Sequence, residues 1–240
     1  MGPGLARWLG RLGLLESRCP ACGRLQEGPA RPCPDCAREL APRPGGFCPG
    51  CGALAADPNL PPMLCADCRR EPKPWDLLHC HGPYQGLLRD LILRYKFQRG
   101  LGLGRLLQTL TLEAFRPGEP GPEMIVPVPL HPRRLVWRGY NQSLELARRL
   151  SRESGIPLAA QALRRVRRTT PQTRVPGPKR RENIRNAFAA DPALVSGRRV
   201  LLVDDVLTTG ATLEEGVLTL RRAGARSEER RVGKECRSRW

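Results

Sequence analysis

The sequence lacks any long apolar run. No stretch reaches the 18 or so uninterrupted apolar residues that a membrane-spanning helix needs, and 27% of the 240 residues are charged. The opening MGPGLARWLGRLGLLE is interrupted by Arg7 and Arg11 and has no small-residue cleavage pattern. We therefore expect no membrane insertion, interpret residues 1–18 as a lead segment of the mature chain, and predict a cytoplasmic protein.

Aromatic and acidic residues are both scarce. Aromatic residues make up 5% of the chain, which leaves few side chains on which nucleic-acid bases could stack. The 23 Asp and Glu residues are outnumbered by 41 Lys and Arg, so the net charge is +18. This excess favours phosphate-rich partners such as nucleic acid or nucleotides. A GC-rich gene also enriches arginine, so charge alone is a weak indication.

Cysteines are concentrated at one end of the chain. Nine of the ten precede residue 81, and eight form four CxxC pairs: Cys19/Cys22, Cys33/Cys36, Cys48/Cys51 and Cys65/Cys68. A CxxC turn places two thiolates on one side of a tight knuckle, and two knuckles complete a tetrahedral zinc site. Four thiolates leave no open coordination position, so the pattern predicts one or two structural zinc ions.

Other uses of these cysteines fit less well. A disulfide framework needs an oxidising compartment, and a redox CxxC does not explain four repeats. Sequential pairing gives a double zinc ribbon over residues 19–72, whereas crossed pairing of the knuckles is also possible. We interpret Cys80, between His79 and His81, as a buried strand cysteine.

Beyond Pro72, Pro74 and Trp75, apolar strands alternate with helical patterns. The predicted strands are 75–84 (a short strand or hairpin), 124–129 and 199–203, and the predicted helices are 86–97, 103–115, 141–154 and 212–223. Such alternation is typical of an α/β domain with a mostly parallel sheet flanked by helices. We assign this domain to residues 73–225.

The most informative stretch is VLLVDDVLTTGAT, residues 200–212. An apolar strand ends in two carboxylates, Asp204 and Asp205, and a helix follows the loop of small residues Thr208, Thr209, Gly210, Ala211 and Thr212. Small residues let backbone N–H groups close around a phosphate at a helix N-terminus. Carboxylates accept hydrogen bonds from paired sugar hydroxyls. The stretch matches neither a Walker A loop nor a GxGxxG loop, and it predicts a ribose 5-phosphate site.

This stretch closely resembles the thirteen-residue signature with which type I phosphoribosyltransferases bind phosphoribosyl pyrophosphate (PRPP). The resemblance implies that Asp204 and Asp205 hold the ribose hydroxyls, and that residues 208–212 hold the 5-phosphate. Purine-salvage members carry an aspartate, acting on the base, where this chain has Thr208. That difference argues against a simple purine-salvage enzyme.

Two further blocks narrow the resemblance. Residues 125–147, IVPVPLHPRRLVWRGYNQSLELA, and residues 168–188, RTTPQTRVPGPKRRENIRNAF, look like the ComF family, which includes GntX-type proteins. The resemblance implies a zinc ribbon ahead of a phosphoribosyltransferase-like domain, and a link to natural transformation and DNA uptake. It also implies handling of single-stranded DNA alongside a helicase-like competence protein, while the reaction remains open.

Several cations and polar residues complete the predicted site. Arg138 and Asn141 lie in a turn that would bind pyrophosphate, Lys96 is a further cation, and magnesium would accompany PRPP. Arg133 and Arg134 are as well explained by a solvated loop. The hood candidates Gln172, Arg181 and Asn183 match the family block. Residues 164–185 hold nine Lys or Arg against one acid, and could instead track a phosphate backbone.

The end of the chain looks foreign to the family. Residues 226–240, RSEERRVGKECRSRW, show no helical or strand period and resemble a translated sequencing adapter. We therefore expect a non-native tail after about residue 225 and a missing last strand. An exposed sheet edge and reduced stability would follow.

The leading hypothesis is a phosphoribosyltransferase, a pentosyl transferase with an unknown acceptor. Asp204 and Asp205 would orient the ribose of PRPP and Arg138 would assist the departing pyrophosphate. The alternative is a non-enzymatic factor that handles single-stranded DNA, in which the PRPP site is a sensor or a relic. Regulation of nucleotide metabolism by PRPP is a weaker third hypothesis.

Overall fold

The computed structural model describes residues 16–43, 45–97, 101–115, 120–170, 172 and 175–233, with the backbone alone at 101 and from 227 onward. Contacts divide the chain into two compact units. The first takes the chain as far as Ala41 together with Gln85–Leu107, and the second takes Pro42–Tyr84 together with the chain from Gln108. This division cuts across the module predicted at 19–72, whose boundaries stay a prediction. Within the described ranges, no helix has the length and hydropathy to cross a membrane.

The first unit joins a small hairpin to a helix pair. Strands β1 (Glu16–Arg18) and β2 (Leu25–Glu27) pair antiparallel. Helices α1 (Pro34–Glu39) and α3 (Gly86–Phe97) lie together, since the Glu39 carboxylate accepts a 2.8 Å hydrogen bond from the Leu87 N–H. The helix predicted at 86–97 is confirmed as α3, and its apolar face of Leu88, Leu91, Ile92 and Tyr95 is buried.

The second unit contains a four-stranded parallel sheet in the order β3 (Leu77–Cys80), β8 (Arg226–Gly233), β7 (Arg199–Val203), β4 (Met124–Pro127). In register, Ile125 lies opposite Leu201. Both strands are buried apolar runs, as expected when helices cover both faces of a sheet. Strands β5 (Leu163–Arg165) and β6 (Phe188–Ala190) form a separate antiparallel pair that the sequence patterns do not predict.

Seven further α-helices lie within the described ranges. The remaining helices are α2 (Ala66–Arg70), α4 (Gly104–Ala114), α5 (Pro132–Arg138), α6 (Gln142–Ser154), α7 (Arg180–Ile184), α8 (Pro192–Val195) and α9 (Ala211–Arg222). The predicted helices at 103–115, 141–154 and 212–223 correspond to α4, α6 and α9. In the core, Val217 of α9, Leu202 of β7 and Leu163 of β5 belong to one buried apolar cluster. Each such side chain contributes about 1.5–3 kcal/mol when it leaves water.

The last strand of the sheet differs from expectation. We predicted that it is missing, yet residues 226–233 form β8 between β3 and β7 and pair in parallel with both. The predicted exposed edge at β7 is therefore wrong. Ladder hydrogen bonds come from the main chain, so an extended segment can fill this position without a strand-like pattern of side chains. The non-native origin of residues 226–240 stays a prediction.

Candidate functional site

The eight paired cysteines form two clusters of four. Cys19, Cys22, Cys33 and Cys36 make one and Cys48, Cys51, Cys65 and Cys68 the other, with the sulfur atoms of each within 4.8 Å of one another. The structure therefore adopts the sequential grouping and not the crossed one. A tetrahedral zinc ion with Zn–S bonds of about 2.3 Å separates its ligands by about 3.8 Å. The Cys22–Cys33 and Cys51–Cys65 sulfur distances are 3.8 and 3.7 Å.

Hydrogen bonds and burial shift the pKa values of thiols in both clusters. The Cys33 N–H donates to the Cys19 sulfur, and the Cys65 N–H donates to the Cys48 sulfur, each at 3.3 Å. Burial opposes ionisation of Cys19, but backbone hydrogen bonds from Cys22, Cys33 and Ala21 lower its pKa to about 6. Burial and neighbouring thiols raise the pKa of the fourth cysteine, Cys36 or Cys68. Four crowded thiols cannot all ionise alone, whereas a dication would stabilise all four thiolates.

The second candidate site lies where β7 ends and α9 begins. Asp204 is 9% exposed and Asp205 is half-buried. The following loop ends at Gly210, which adopts a left-handed conformation with φ of 77° directly before α9. A pocket of about 210 Å³ is lined by Gln172, Asp204, Val206, Leu207, Thr208, Thr209, Gly210, Ala211, Thr212 and Leu213. The predicted phosphate loop and the hood residue Gln172 therefore face one cavity.

The N-terminus of α6 holds the acidic pair in place. The Ser143 hydroxyl donates to Asp204 Oδ1 at 3.0 Å, and the Asp205 N–H donates to the same oxygen at 2.9 Å. Asn141 caps α6 by accepting from the Ser143 N–H, while its amide donates to the Val128 carbonyl after β4. Asn141 was predicted to bind substrate, and its side-chain contacts here position the helix. Ser143 was not foreseen.

Arg138 and Arg165 lie close enough to the acidic pair for their charges to interact, and Arg134 lies beside both arginines. Burial lowers the pKa of Arg138, against the opposing charge of Asp205. Burial and the charge of Arg134 lower the pKa of Arg165 to about 10, against the opposing charge of Asp204. Arg165 donates to the Thr169 hydroxyl, while its buried Nε has no hydrogen-bond partner within the described ranges. Crowded, desolvated guanidinium groups favour an incoming anion.

The hood candidates form one connected network. The Asn183 side chain exchanges two hydrogen bonds with the Thr170 backbone and donates to the Gln172 amide oxygen at 3.3 Å. Arg181 forms a bidentate pair, at 3.1 and 3.2 Å, with Glu214 in the first turn of α9. Gln172 lines the pocket. Asn183 supports it through a hydrogen bond, and Arg181 connects α7 to α9. Lys96 lies on α3 in the other compact unit, and its role stays a prediction.

Trp75 lies between the second cysteine cluster and the loop. Its indole N–H donates to the Gly50 carbonyl, inside the Cys48–Cys51 knuckle, at 2.7 Å. Its ring lies 3.5 Å from the position that a Cβ on Gly210 would take. Trp75 therefore fills the space beneath the loop and joins it to the knuckle.

Replacing Gly210 with alanine tests the loop geometry. The left-handed φ costs a non-glycine residue about 1–2 kcal/mol, and the new Cβ would lie 3.3 Å from Leu207. We expect Gly210→Ala to lower the melting temperature and to weaken binding of phosphate ligands at least tenfold, measured by calorimetry. Gly155→Ala is the matched control, because Gly155 ends α6 with φ of 72° and no atom near its Cβ position. Equal ligand affinity in the two variants would contradict a phosphate-binding loop.

Known proteins resemble this chain in sequence. A family model for the phosphoribosyl transferase domain matches residues 141–232. The DNA utilization protein YhgH of Salmonella typhi is 37% identical over 228 residues, which cover 93% of each chain. Competence protein F of Haemophilus influenzae is 35% identical over 86% of this chain and 92% of its own. The solved glutamine PRPP amidotransferase from B. subtilis, complexed with ADP and GMP, is 24% identical over 53% of this chain and 25% of its own. The TM-score between the two structures is 0.36.

The family match agrees with the parallel sheet described above. The predicted fold class, a phosphoribosyltransferase-like parallel sheet behind a cysteine-rich region, is confirmed except for the strand expected to be missing. Since it is 37% and 35% identical to relatives over alignments that cover 93% and 92% of their lengths, the chain belongs to the ComF family.

Proposed function

We propose that this protein binds PRPP together with magnesium in the pocket at the carboxyl end of β7. The pocket supports the proposal because one cavity is lined by Asp204, the small-residue loop and Gln172. The carboxyl end of a parallel strand is the usual ligand position in α/β folds. Backbone N–H groups at the start of α9 would hold the 5-phosphate, while Asp204 and Asp205 would accept hydrogen bonds from the ribose hydroxyls.

The arginines suit the other end of the ligand. Arg138 and Arg165 carry desolvated positive charge beside the acidic pair, and Arg134 adds a third partly desolvated charge next to them. Such charge stabilises a pyrophosphate as it gains a negative charge on leaving. Magnesium, when bound with PRPP, would neutralise part of the phosphate charge while keeping most of its waters.

The proposed reaction is a displacement at the anomeric carbon. The bond from that carbon to the pyrophosphate oxygen breaks, the electron pair leaves with pyrophosphate, and an acceptor nucleophile forms the new bond. Asp204 and Asp205 would hold the ribose, and Arg138 would stabilise the leaving group. We assign no general base, and the acceptor is unidentified.

The wider role that we propose is in DNA uptake in the cytoplasm. The relatives are named a DNA utilization protein and a competence protein, and this chain carries a net charge of +18. A second candidate function is non-enzymatic handling of single-stranded DNA, with a helicase-like competence protein as partner and PRPP as a sensed ligand. The threonine at position 208, where purine-salvage enzymes have an aspartate, favours this second function.

Calorimetry of the zinc-loaded chain tests the primary proposal. We expect saturable 1:1 binding of PRPP with magnesium, and weaker binding of ribose 5-phosphate, which lacks the pyrophosphate. Absence of heat from a chain whose folding and zinc content are verified would overturn the proposed PRPP site. Release of pyrophosphate on adding candidate acceptors would then separate catalysis from sensing.

A further inference from the structure

Helix α5 exposes three consecutive apolar side chains. Leu135 is 42% exposed, Val136 85% and Trp137 71%. Among described residues, Trp137 and Phe97 are the aromatic side chains that stand out from the surface in this way. A solvent-exposed tryptophan is unusual enough to indicate a binding surface.

The surroundings of Trp137 are strongly basic. Helix α5 reads PRRLVWR, with three arginines and no acid. Arg134 donates to the Thr169 carbonyl at 3.5 Å, which places α5 beside the basic segment 164–168. Four of the five residues in that segment are arginines, and the fifth, Val166, is 59% exposed. We call α5 and residues 164–168 together the basic face.

The chemistry of the basic face selects among partners. An acidic peptide would pair with the arginines of the basic face, but its binding would not require a flat exposed indole. Duplex DNA offers phosphates, but its bases are already paired and stacked. A single strand offers both a charged backbone and free base faces, and an aromatic platform within a basic groove is how proteins bind it without sequence preference.

We propose that the basic face is a binding surface for single-stranded nucleic acid, in which Trp137 stacks on a base and the surrounding arginines contact phosphates. The proposal deepens the suggested connection with DNA and rests on it. The basic face shares Arg134, Arg138 and Arg165 with the proposed pyrophosphate end of the pocket, whereas stacking by Trp137 is separate from PRPP binding. The basic face borders that pocket, because Arg138 at the end of α5 lies close enough to Asp205 for their charges to interact.

Fluorescence anisotropy with a labelled oligothymidylate tests the stacking role. We expect Trp137→Ala to weaken binding about tenfold or more, because stacking on an aromatic side chain contributes about 1–3 kcal/mol per base. Trp137→Phe should retain most of the affinity. Phe97→Ala removes the exposed aromatic on α3 and should leave affinity unchanged. Unchanged oligonucleotide binding by Trp137→Ala would overturn the proposal and point to a protein partner.

Salt dependence separates stacking from charge. Arg168 is exposed on the basic face, and Arg168→Gln should reduce the slope of log affinity against log salt by about 0.7, the value for one phosphate contact on a single strand. Trp137→Ala should leave that slope unchanged. Wild-type PRPP binding by Trp137→Ala would show that the variant is folded. Failure of the folded wild-type chain to bind PRPP, with its oligonucleotide binding intact and weakened by Trp137→Ala, would instead sink the pocket proposal alone.

Discussion

Asp204→Asn with Asp205→Asn is expected to abolish measurable binding of PRPP with magnesium. A hydrogen bond to a charged group contributes about 1.5–3 kcal/mol, so losing two such acceptors for ribose hydroxyls should cost about 3–6 kcal/mol. That cost corresponds to a loss of affinity of roughly 100-fold to more than 10,000-fold. Calorimetry on the wild type and the double variant measures it directly.

The control for this variant tests the hydrogen bonds that hold the Asp204 side chain. Asparagine keeps the side-chain oxygen that accepts from Ser143 and from the Asp205 N–H, so the double variant should remain folded. Ser143→Ala removes one supporting hydrogen bond while retaining both carboxylates, and should weaken PRPP binding only several-fold. If the double asparagine variant bound PRPP within threefold of wild type, the carboxylates would not be the ribose acceptors.

Cys68→Ser is expected to halve the zinc content and to lower the melting temperature steeply. Cys68 completes the second cluster, and zinc binding in small thiolate sites supplies apparent folding free energy of about 10–16 kcal/mol. Serine offers no comparable ligand for zinc. Elemental analysis, which should give two zinc ions per wild-type chain, and thermal melting provide the two measurements.

A matched cysteine variant distinguishes ligation from simple loss of a thiol. Cys80 belongs to neither cluster and is partly buried on β3, so Cys80→Ser should keep two zinc ions and melt within a few degrees of wild type. Equal zinc content in Cys68→Ser and Cys80→Ser would contradict the proposed ligand set. Fewer than one zinc per wild-type chain after gentle purification would contradict both zinc sites.

The most predictable features of this protein are local in sequence. A CxxC pair such as Cys48 and Cys51 predicts a knuckle, and a run of apolar residues followed by Asp204 and Asp205 predicts the end of a buried strand. The bounds of β7 agree with the prediction because its residues are apolar without interruption and both faces of the sheet are covered. The spacing likewise predicts the four knuckles, whereas their sequential grouping into two clusters comes from the structure.

What could not be predicted depends on long-range contacts. Ser143 reaches Asp204 across 61 positions, and nothing in the residues around either one signals the other. Arg165 is one of nine basic residues in the stretch 164–185 and nothing in the sequence sets it apart, yet the pairing of β5 with β6 brings it to Phe188, whose ring centre lies 5.4 Å from its guanidinium carbon. The pairing of β8 was missed because main-chain hydrogen bonds leave no side-chain pattern.

The position of Trp75 connects the second cysteine cluster with the loop before α9. Its indole donates to the Cys48–Cys51 knuckle on one side and packs beside the Gly210 turn on the other, so a displacement of the ring at one end would disturb its packing at the other. If metal binding at the knuckle and ligand binding at the loop both depend on the position of this ring, the coupling between them must be equal in both directions. Loss of zinc would then weaken a ligand held by the loop, and that ligand would slow the loss of zinc.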